Sequence, residues 1–567
     1  MNLFRAPSRG ARLLAVLPLG FTWLHAALAV IAGAAQAASL AWPLAMPDAL
    51  TRMLPVWQQG QPVWGLQLLA LGTLAWLLTR CQCDDPHTHD ARRWRLAALW
   101  GWLFATAWLT GSFGWTFVAM HTYGGLPAPL AALAVLLLAG LLALLYAAAC
   151  GFFVALARTN RAWSAIVFAA LWLLAELARG NWLTGFGWGA AGYAHVEGPL
   201  SALAPWLGVY GLCALSAGLA MALVSLFSPA PDHPGRALAG CLLLVAGLFT
   251  VPTLASRSLM AVVGVSNPTG RIGVTLLQGN IPQDEKFETG SGVPVALQWY
   301  AEQLQRSRTA LVIAPETAIP VLPQQLPPAY WQALQQRFAS GQQAALIGAP
   351  LGDYRAGYTN SVVGLQPGQT QRWQYDKQHL VPFGEFIPPL FKWFTALMNI
   401  PLGDFNRGAL RQPPFVWQGQ RLSPNICYED LFGEELAANF LDPAQAPTIF
   451  VNISNLAWFG NSLALDQHLQ IARMRALEFE RPFVLATNTG ASAIVDHRGR
   501  IVASLARGTR AVLVGEVEGR SGVTAYAWWV ARFGLWPLWL GALGLVLLAA
   551  QRATLRKRQS GAPQLPG

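Results

Sequence analysis

The chain has 567 residues, more than one ordinary globular domain needs, and its 54% apolar content, 25 Trp and 11% charged residues fit a membrane protein better than a soluble one. Its net charge of +11 does not call for nucleic acid, and no nucleic acid is expected as a partner. The basic residues sit at the ends of apolar runs, where headgroups and topology favour them, and no basic-aromatic stripe is present.

Apolar runs dominate from about residue 11 to 257, and a last one covers about 527–550. About eight transmembrane spans are predicted, at 12–36, 64–80, 97–120, 129–157, 163–179, 205–227, 237–255 and 527–550, each near the roughly 17–25 residues that cross a bilayer. The expected organisation is a helical bundle over 1–257, an extracytoplasmic domain over 258–522, and a final span with a basic cytoplasmic tail over 523–567. Basic residues in the short connections gather on one side, among them Arg92, Arg93, Arg95, Arg556 and Arg558, leaving only Arg52 and Arg179 on the other. That asymmetry puts both termini in the cytoplasm and the soluble domain outside it. Glu176 and Arg179, spaced i,i+3 at a span end, are expected to pair. The aromatic, glycine-rich segment 181–189 reads as an interfacial belt or a rim that admits lipid. Cys81, Cys83, His87 and His89 match no zinc module, so no metal is expected there.

Residues from about 270 to 520 have soluble composition. Short β-branched runs at 272–277, 310–314, 344–348, 448–452, 483–486, 493–495 and 511–515 predict buried strands. Helical periodicity covers 293–307 and 464–480, and Asp496-His497-Arg498-Gly499 reads as a hairpin turn between two of the late strands, 493–495 and 511–515. Strands alternating with helices predict an α/β layered sandwich. The apolar segments 388–394 and 397–402 are expected to dip into the membrane interface or form a lid.

Three features of this domain carry chemistry. Pro315-Glu316-Thr317 follows a buried strand, Lys377 and Glu385 bracket a polar-aromatic loop, and Asn425-Ile426-Cys427 places a thiol at another strand end. Strand ends are where α/β sheets present reacting groups. The chain has six Cys, and Cys427 is the one that falls in the extracytoplasmic domain. A thiol without a disulfide partner, among acid-base groups, is a nucleophile candidate. Lysine is scarce, at positions 286, 377, 392 and 557 only, so Lys377 invites a reason: a compact cation that meets an oxyanion or lowers a thiol pKa.

Glu316, Lys377 and Cys427, about 60 and 50 residues apart, resemble the Glu-Lys-Cys triad of the nitrilase superfamily. The contexts Pro-Glu-Thr, Lys-x-x-Leu-Val-Pro-Phe-Gly-Glu and Cys-Tyr-Glu, with the spans, resemble its membrane-embedded branch, the bacterial apolipoprotein N-acyltransferases. That resemblance implies an eight-span helical bundle carrying an α-β-β-α sandwich. It also implies a two-step acyl transfer without a cofactor, in a monomer of the bacterial inner membrane with its catalytic domain in the periplasm. The partners it implies are a phospholipid donor, a diacylglyceryl apolipoprotein acceptor and the membrane lipid. Glu316 would be the base, Cys427 the nucleophile and Lys377 the oxyanion cation. Glu385, Tyr428 and Glu429 would support them, and Phe287 and Trp458 would contact lipid. Two positions depart from the family pattern: Phe287 stands where Trp is usual, and Leu456 where Asp is usual. The same triad would also serve a membrane-anchored amidase with water as the second nucleophile. A Cys-His protease would need His379 or His468 against the thiol.

Overall fold

The computed structural model describes residues 22–47, 57–83, 90–157, 161–227, 240, 242–244, 246–250, 254, 266–353, 355–369, 372–387 and 405–560. Helices α1 (Trp23–Leu40), α2 (Trp64–Cys83), α3 (Asp90–Phe113), α4 (Ala128–Leu156), α5 (Arg161–Asn181) and α6 (Ala204–Phe227) pack into a bundle. Among the described residues 6 helices are long and apolar enough to cross a membrane: α1, α3, α4, α5, α6 and the C-terminal helix Trp536–Ser560. The expected count of about eight is not confirmed by these described residues. α2 has 20 residues and packs within the bundle, where its buried Gln67 donates to Ser216 of α6 at 3.1 Å. The expected span 237–255 lies only partly within the described residues; 12–21 of the first span, the loop with His87 and His89, and the segments 388–394 and 397–402 lie outside them.

Glu176 and Arg179 do pair, fully buried, at 2.7 Å. Arg179 also donates to the backbone oxygens of Phe186 and Trp188, at 2.6 and 2.7 Å, and to the Tyr146 hydroxyl at 2.9 Å. One guanidinium thus ties the segment 181–189 back onto the bundle, a use of its fixed fork of donors. That segment is split in character: Leu183 is 99% exposed and Trp182 exposed, whereas Trp188 is buried. The interfacial belt reading fits its tip and not its C-terminal half.

The soluble domain is a four-layer sandwich, as expected. One sheet has the order β12 (Ala511–Ser521), β1 (Asn267–Gln278), β2 (Leu311–Ile313), β3 (Ala344–Asp353), β4 (Gly357–Leu365), β5 (Trp373–Asp376). The other runs β11 (Ile501–Ser504), β10 (Ala493–Val495), β9 (Phe483–Thr487), β8 (Ile449–Ser454), β7 (Gln420–Ile426), β6 (Phe415–Trp417). Each sheet has a parallel centre, β1-β2-β3 and β7-β8-β9, with antiparallel flanks. Alternation along the strands decides the layers. Val274, Leu276, Ile313, Leu346, Ile449 and Val451 fill the space between the sheets. Their neighbours Leu277, Val312, Ile347 and Phe450 face outward. The outward face of the first sheet is covered by α7 (Gly292–Arg306) and α8 (Tyr330–Ala339), and that of the second by α9 (Ala464–Phe479) and α10 (Ala525–Phe533).

The bundle joins the sandwich through α9, which packs on α6. α6 is broken at Gly208, whose φ of 65° and close approach to the Tyr526 ring leave no place for a Cβ. The break frees the Val209 amide, which donates to the buried Glu478 carboxylate of α9 at 2.6 Å.

Replacing Arg179 with Met should leave the Glu176 carboxylate buried and unpaired, a cost of about 3–5 kcal/mol. Thermal unfolding in detergent should therefore start well below the wild-type temperature; an unchanged transition would show that this pair does not hold the segment.

Candidate active site

Three strand ends converge at one end of the sandwich. Glu316 lies just past β2, in a turn where Thr317 takes φ 47°. Gly348 of the neighbouring β3 makes that turn possible, because a Cβ there would strike the Pro315 carbonyl oxygen. Lys377 follows β5 directly and is anchored by its own amide, which donates to the Asn360 carbonyl of β4 at 2.8 Å. Cys427 follows β7 with φ 56°, a left-handed backbone that costs a non-glycine residue about 1–3 kcal/mol. The Cys427 carbonyl accepts from Asn452 Nδ2 of β8 at 2.8 Å, which holds the elbow.

The charged groups form one buried cluster. Lys377 Nζ, 1% exposed, lies 3.0 Å from Glu385 Oε1 and 3.5 Å from Glu316 Oε1. Asn360 Nδ2 bridges the same two oxygens, at 2.7 Å to Glu316 and 2.8 Å to Glu385. The second oxygen of Glu316 accepts from the Asn455 amide at 2.8 Å, and that of Glu385 from the Val381 amide at 2.9 Å. Burial disfavours the Lys377 ammonium, but Glu385 and then Glu316 outweigh it and hold its pKa well above the ordinary lysine value. The Cys427 thiol is pushed the other way. Burial first, and the Glu316 charge second, raise its pKa well above the usual value, with Lys377 opposing. At neutral pH Cys427 is therefore a thiol that needs a base, and Glu316 is the carboxylate beside it.

The supporting residues divide by role. Glu385 grips Lys377. The Tyr428 hydroxyl donates to the Leu380 carbonyl at 2.7 Å, and its ring lies 5.8 Å from Lys377 Nζ. Glu429 does not touch the Lys377 ammonium; it clamps backbone. It accepts from the amides of Gln378, His379 and Ile426 at 2.7, 3.0 and 2.6 Å, and from the Tyr375 hydroxyl at 3.0 Å. One carboxylate thus fixes the lysine segment against the nucleophile's strand. Burial pushes its pKa up to about 7, against the pull of those amides.

Phe287 is 44% exposed beside the cluster, and Trp458 is half-buried, edge-on to Tyr123 of the membrane part at 5.8 Å. Leu456 is buried in apolar contact. The two candidate protease bases are otherwise engaged. His379 meets Glu435 at 2.8 Å and the Thr184 carbonyl at 3.0 Å, and His468 Nε2 meets the Cys427 backbone oxygen, not its sulfur.

Asn360, Asn455 and Lys286 join the site without having been singled out in the sequence. Lys286 is 2% exposed and donates to the Glu316 carbonyl at 3.0 Å; burial drives its pKa down to about 7 despite the nearby Glu316 and Cys427. The scarcity of lysine that pointed to Lys377 applied equally to Lys286.

Comparison with known proteins agrees with both halves of the molecule. Residues 273–526 match the family model described as carbon-nitrogen hydrolase, and 53–222 match that of the apolipoprotein N-acyltransferase N-terminal domain. A protein of Verminephrobacter eiseniae named apolipoprotein N-acyltransferase is 55% identical over 520 residues, which cover 89% of this chain and 92% of that one. One of the same name from Ralstonia nicotianae is 43% identical, over 88% of this chain and 90% of its own. With relatives this similar along nearly their whole length, a membrane bundle, and a buried thiol, ammonium and carboxylate at three strand ends, the chain belongs to the apolipoprotein N-acyltransferase family.

Proposed function

We propose that this protein transfers an acyl chain from a phospholipid to the α-amino group of the N-terminal diacylglyceryl-cysteine of apolipoproteins, through a thioester on Cys427. The observation that carries this reading is the buried Glu316–Lys377–Cys427 cluster on a sandwich packed directly onto apolar helices.

Glu316 takes the Sγ proton as the sulfur attacks the ester carbonyl carbon. The negative charge that develops on the carbonyl oxygen faces Lys377, which Glu385 holds in place. The carbon–oxygen bond breaks, the leaving lysophospholipid oxygen takes the proton from Glu316, and an acyl-Cys427 remains. The amine then attacks the thioester, Glu316 accepts its proton and returns it to sulfur as the carbon–sulfur bond breaks, and the amide product departs. Both substrates carry acyl chains whose exposure to water costs about 0.8 kcal/mol per CH₂, so chemistry beside the bilayer lets the chains stay in lipid. Phe287 and Trp458 are assigned to the lipid that reaches the site, and Tyr428 and Glu429 to its shape.

In this reading 1–257 forms the membrane bundle, 258–522 the catalytic domain and 523–567 the last helix and tail. The protein is a monomer in the bacterial inner membrane, with the catalytic domain on the periplasmic side, where the excess of cytoplasmic Arg and Lys puts it.

Incubation with a phospholipid labelled in its acyl chain should give a hydroxylamine-sensitive adduct on Cys427 that is absent from Cys427→Ser; label elsewhere in the chain would overturn the assignment. The two charged partners should separate by reactivity. Glu316→Gln removes a charge that raises the thiol pKa, so the pH midpoint of Cys427 alkylation by iodoacetamide should fall, while acyl transfer drops by about 10²–10⁴-fold. Lys377→Met should move that midpoint up and slow transfer by about 10²–10³-fold. Shifts of the opposite sign would contradict these roles.

A further inference from the structure

Cys427 is held from below by a second residue besides Asn452. His468, 1% exposed on α9, places Nε2 3.3 Å from the Cys427 backbone oxygen and 3.2 Å from Asp430 Oδ2. With an oxygen on either side, Nε2 carries a proton and donates. Burial works against the imidazolium, but Asp430 outweighs it and raises the His468 pKa above its usual value. The imidazole is therefore a proton donor set under the elbow of the nucleophile.

The same stretch of α9 is gripped by the membrane part. The preceding residue, Gln467, offers one oxygen that accepts two indole N–H groups: Trp188 Nε1 at 2.7 Å and Trp115 Nε1 at 3.0 Å. Trp188 lies in the segment that Arg179 pins to the bundle, and Trp115 follows α3. The two indoles meet each other edge to face at 4.7 Å, and the Trp188 ring stacks on the His468 ring at 6.1 Å and 19°. All four side chains are buried. Apolar contact would suffice to dock α9 on the bundle. Two converging indole N–H groups on one amide oxygen, plus a stacked imidazole, instead fix the rotation of the helix at the turn that meets Cys427.

We propose that Trp188, Gln467 and His468 are positioning residues that couple the membrane bundle to the nucleophile, His468 setting the Cys427 elbow and Trp188 and Gln467 setting His468. The segment 181–189 then has a function beyond anchoring. Its buried indole transmits the bundle's position to the thiol, while its exposed tip at Trp182 and Leu183 faces outward. The proposal rests on Cys427 as the nucleophile, not on the identity of the acyl donor.

The test uses the full-length protein in detergent micelles free of phospholipid, donor lipid being added only for transfer, with two readouts. One is the rate of Cys427 alkylation by iodoacetamide across pH, followed at that residue by peptide mass spectrometry. The other is kcat and KM for acyl transfer from a labelled phospholipid to a diacylated lipopeptide. His468→Leu should lower kcat roughly tenfold, the rate equivalent of one lost hydrogen bond. KM should hold, and the midpoint of Cys427 alkylation should shift. His468→Gln, which keeps a donor for the carbonyl, should recover much of kcat. Trp188→Phe keeps a ring and removes the N–H, and should shift both readouts in the same direction by less. The pair Trp188→Phe/His468→Leu should be no worse than His468→Leu alone, because both changes break one linkage. If His468→Leu does not fold, Trp188→Phe and Gln467→Leu carry the test on the same readouts. Folded variants with unchanged kcat and alkylation midpoint would overturn the proposal, as would losses that multiply in the pair or appear only in KM. Alkylation needs no lipid, so shifted midpoints in a protein that fails to acylate lipopeptide would sink the transfer reading and leave the coupling standing.

Discussion

An ammonium buried between two carboxylates is the constraint on which this molecule depends. Lys377 cannot remain charged at 1% exposure without Glu385 and Glu316, and neither carboxylate is cheap to bury without Lys377 and the Asn360 amide that bridges them. Each of these groups comes from a different strand end or loop, so the cluster fixes the relative positions of β2, β4 and the segment after β5 while it assembles the chemistry. The thiol stays neutral beside this cluster because burial and Glu316 raise its pKa. The cation is thereby reserved for the oxyanion that forms when the thiol attacks. Removing any one charge unbalances both the fold and the reaction.

The fold brings these groups together by repetition. Two six-stranded sheets with parallel centres pack face to face, and the reacting residues sit past strands of both: Glu316 and Lys377 on one, Cys427 on the other. Glu429 is the stitch between the sheets, holding the amides of Gln378 and His379 from one and Ile426 from the other. The sandwich is in turn continuous with the bundle. A single apolar core runs from the membrane helices through Phe432 and Cys427 to the space between the sheets. The polar groups at this junction, Arg179, Gln467 and His468 among them, are the ones that set orientation.

Much of this was legible in the sequence, for physical reasons. β2, β8, β9, β10 and the buried parts of β1 and β3 are short apolar runs, and such runs announce themselves. β4, β5, β6 and β11 were not named, because each mixes polar and apolar residues or has only three or four positions. The hairpin after β10 returns on β11 and not on the next apolar run, for the same reason. Glu316, Lys377 and Cys427 were legible because their chemistry is rare in this chain and their order is informative. Asn360 and Asn455 were not, since one serves through an amide side chain and the other through a backbone N–H, and neither use leaves a mark in sequence. The supporting role of Glu429 is implied by its place after the nucleophile, but its form, a clamp on three backbone amides and the Tyr375 hydroxyl, is not. The pairing of Trp188 with Gln467 spans 279 positions and exists only once the bundle is docked.

The central claim is that an acyl group passes through Cys427 to an amine and not to water. The most direct measurement is a chase. Protein loaded with labelled acyl chain, and freed of excess phospholipid, is mixed with a diacylated lipopeptide bearing a free N-terminal amine. The label should leave Cys427 and appear on the peptide as a hydroxylamine-resistant amide, at a rate that rises with peptide concentration. Label released as free fatty acid at a rate independent of the peptide would contradict the account and make the protein a hydrolase.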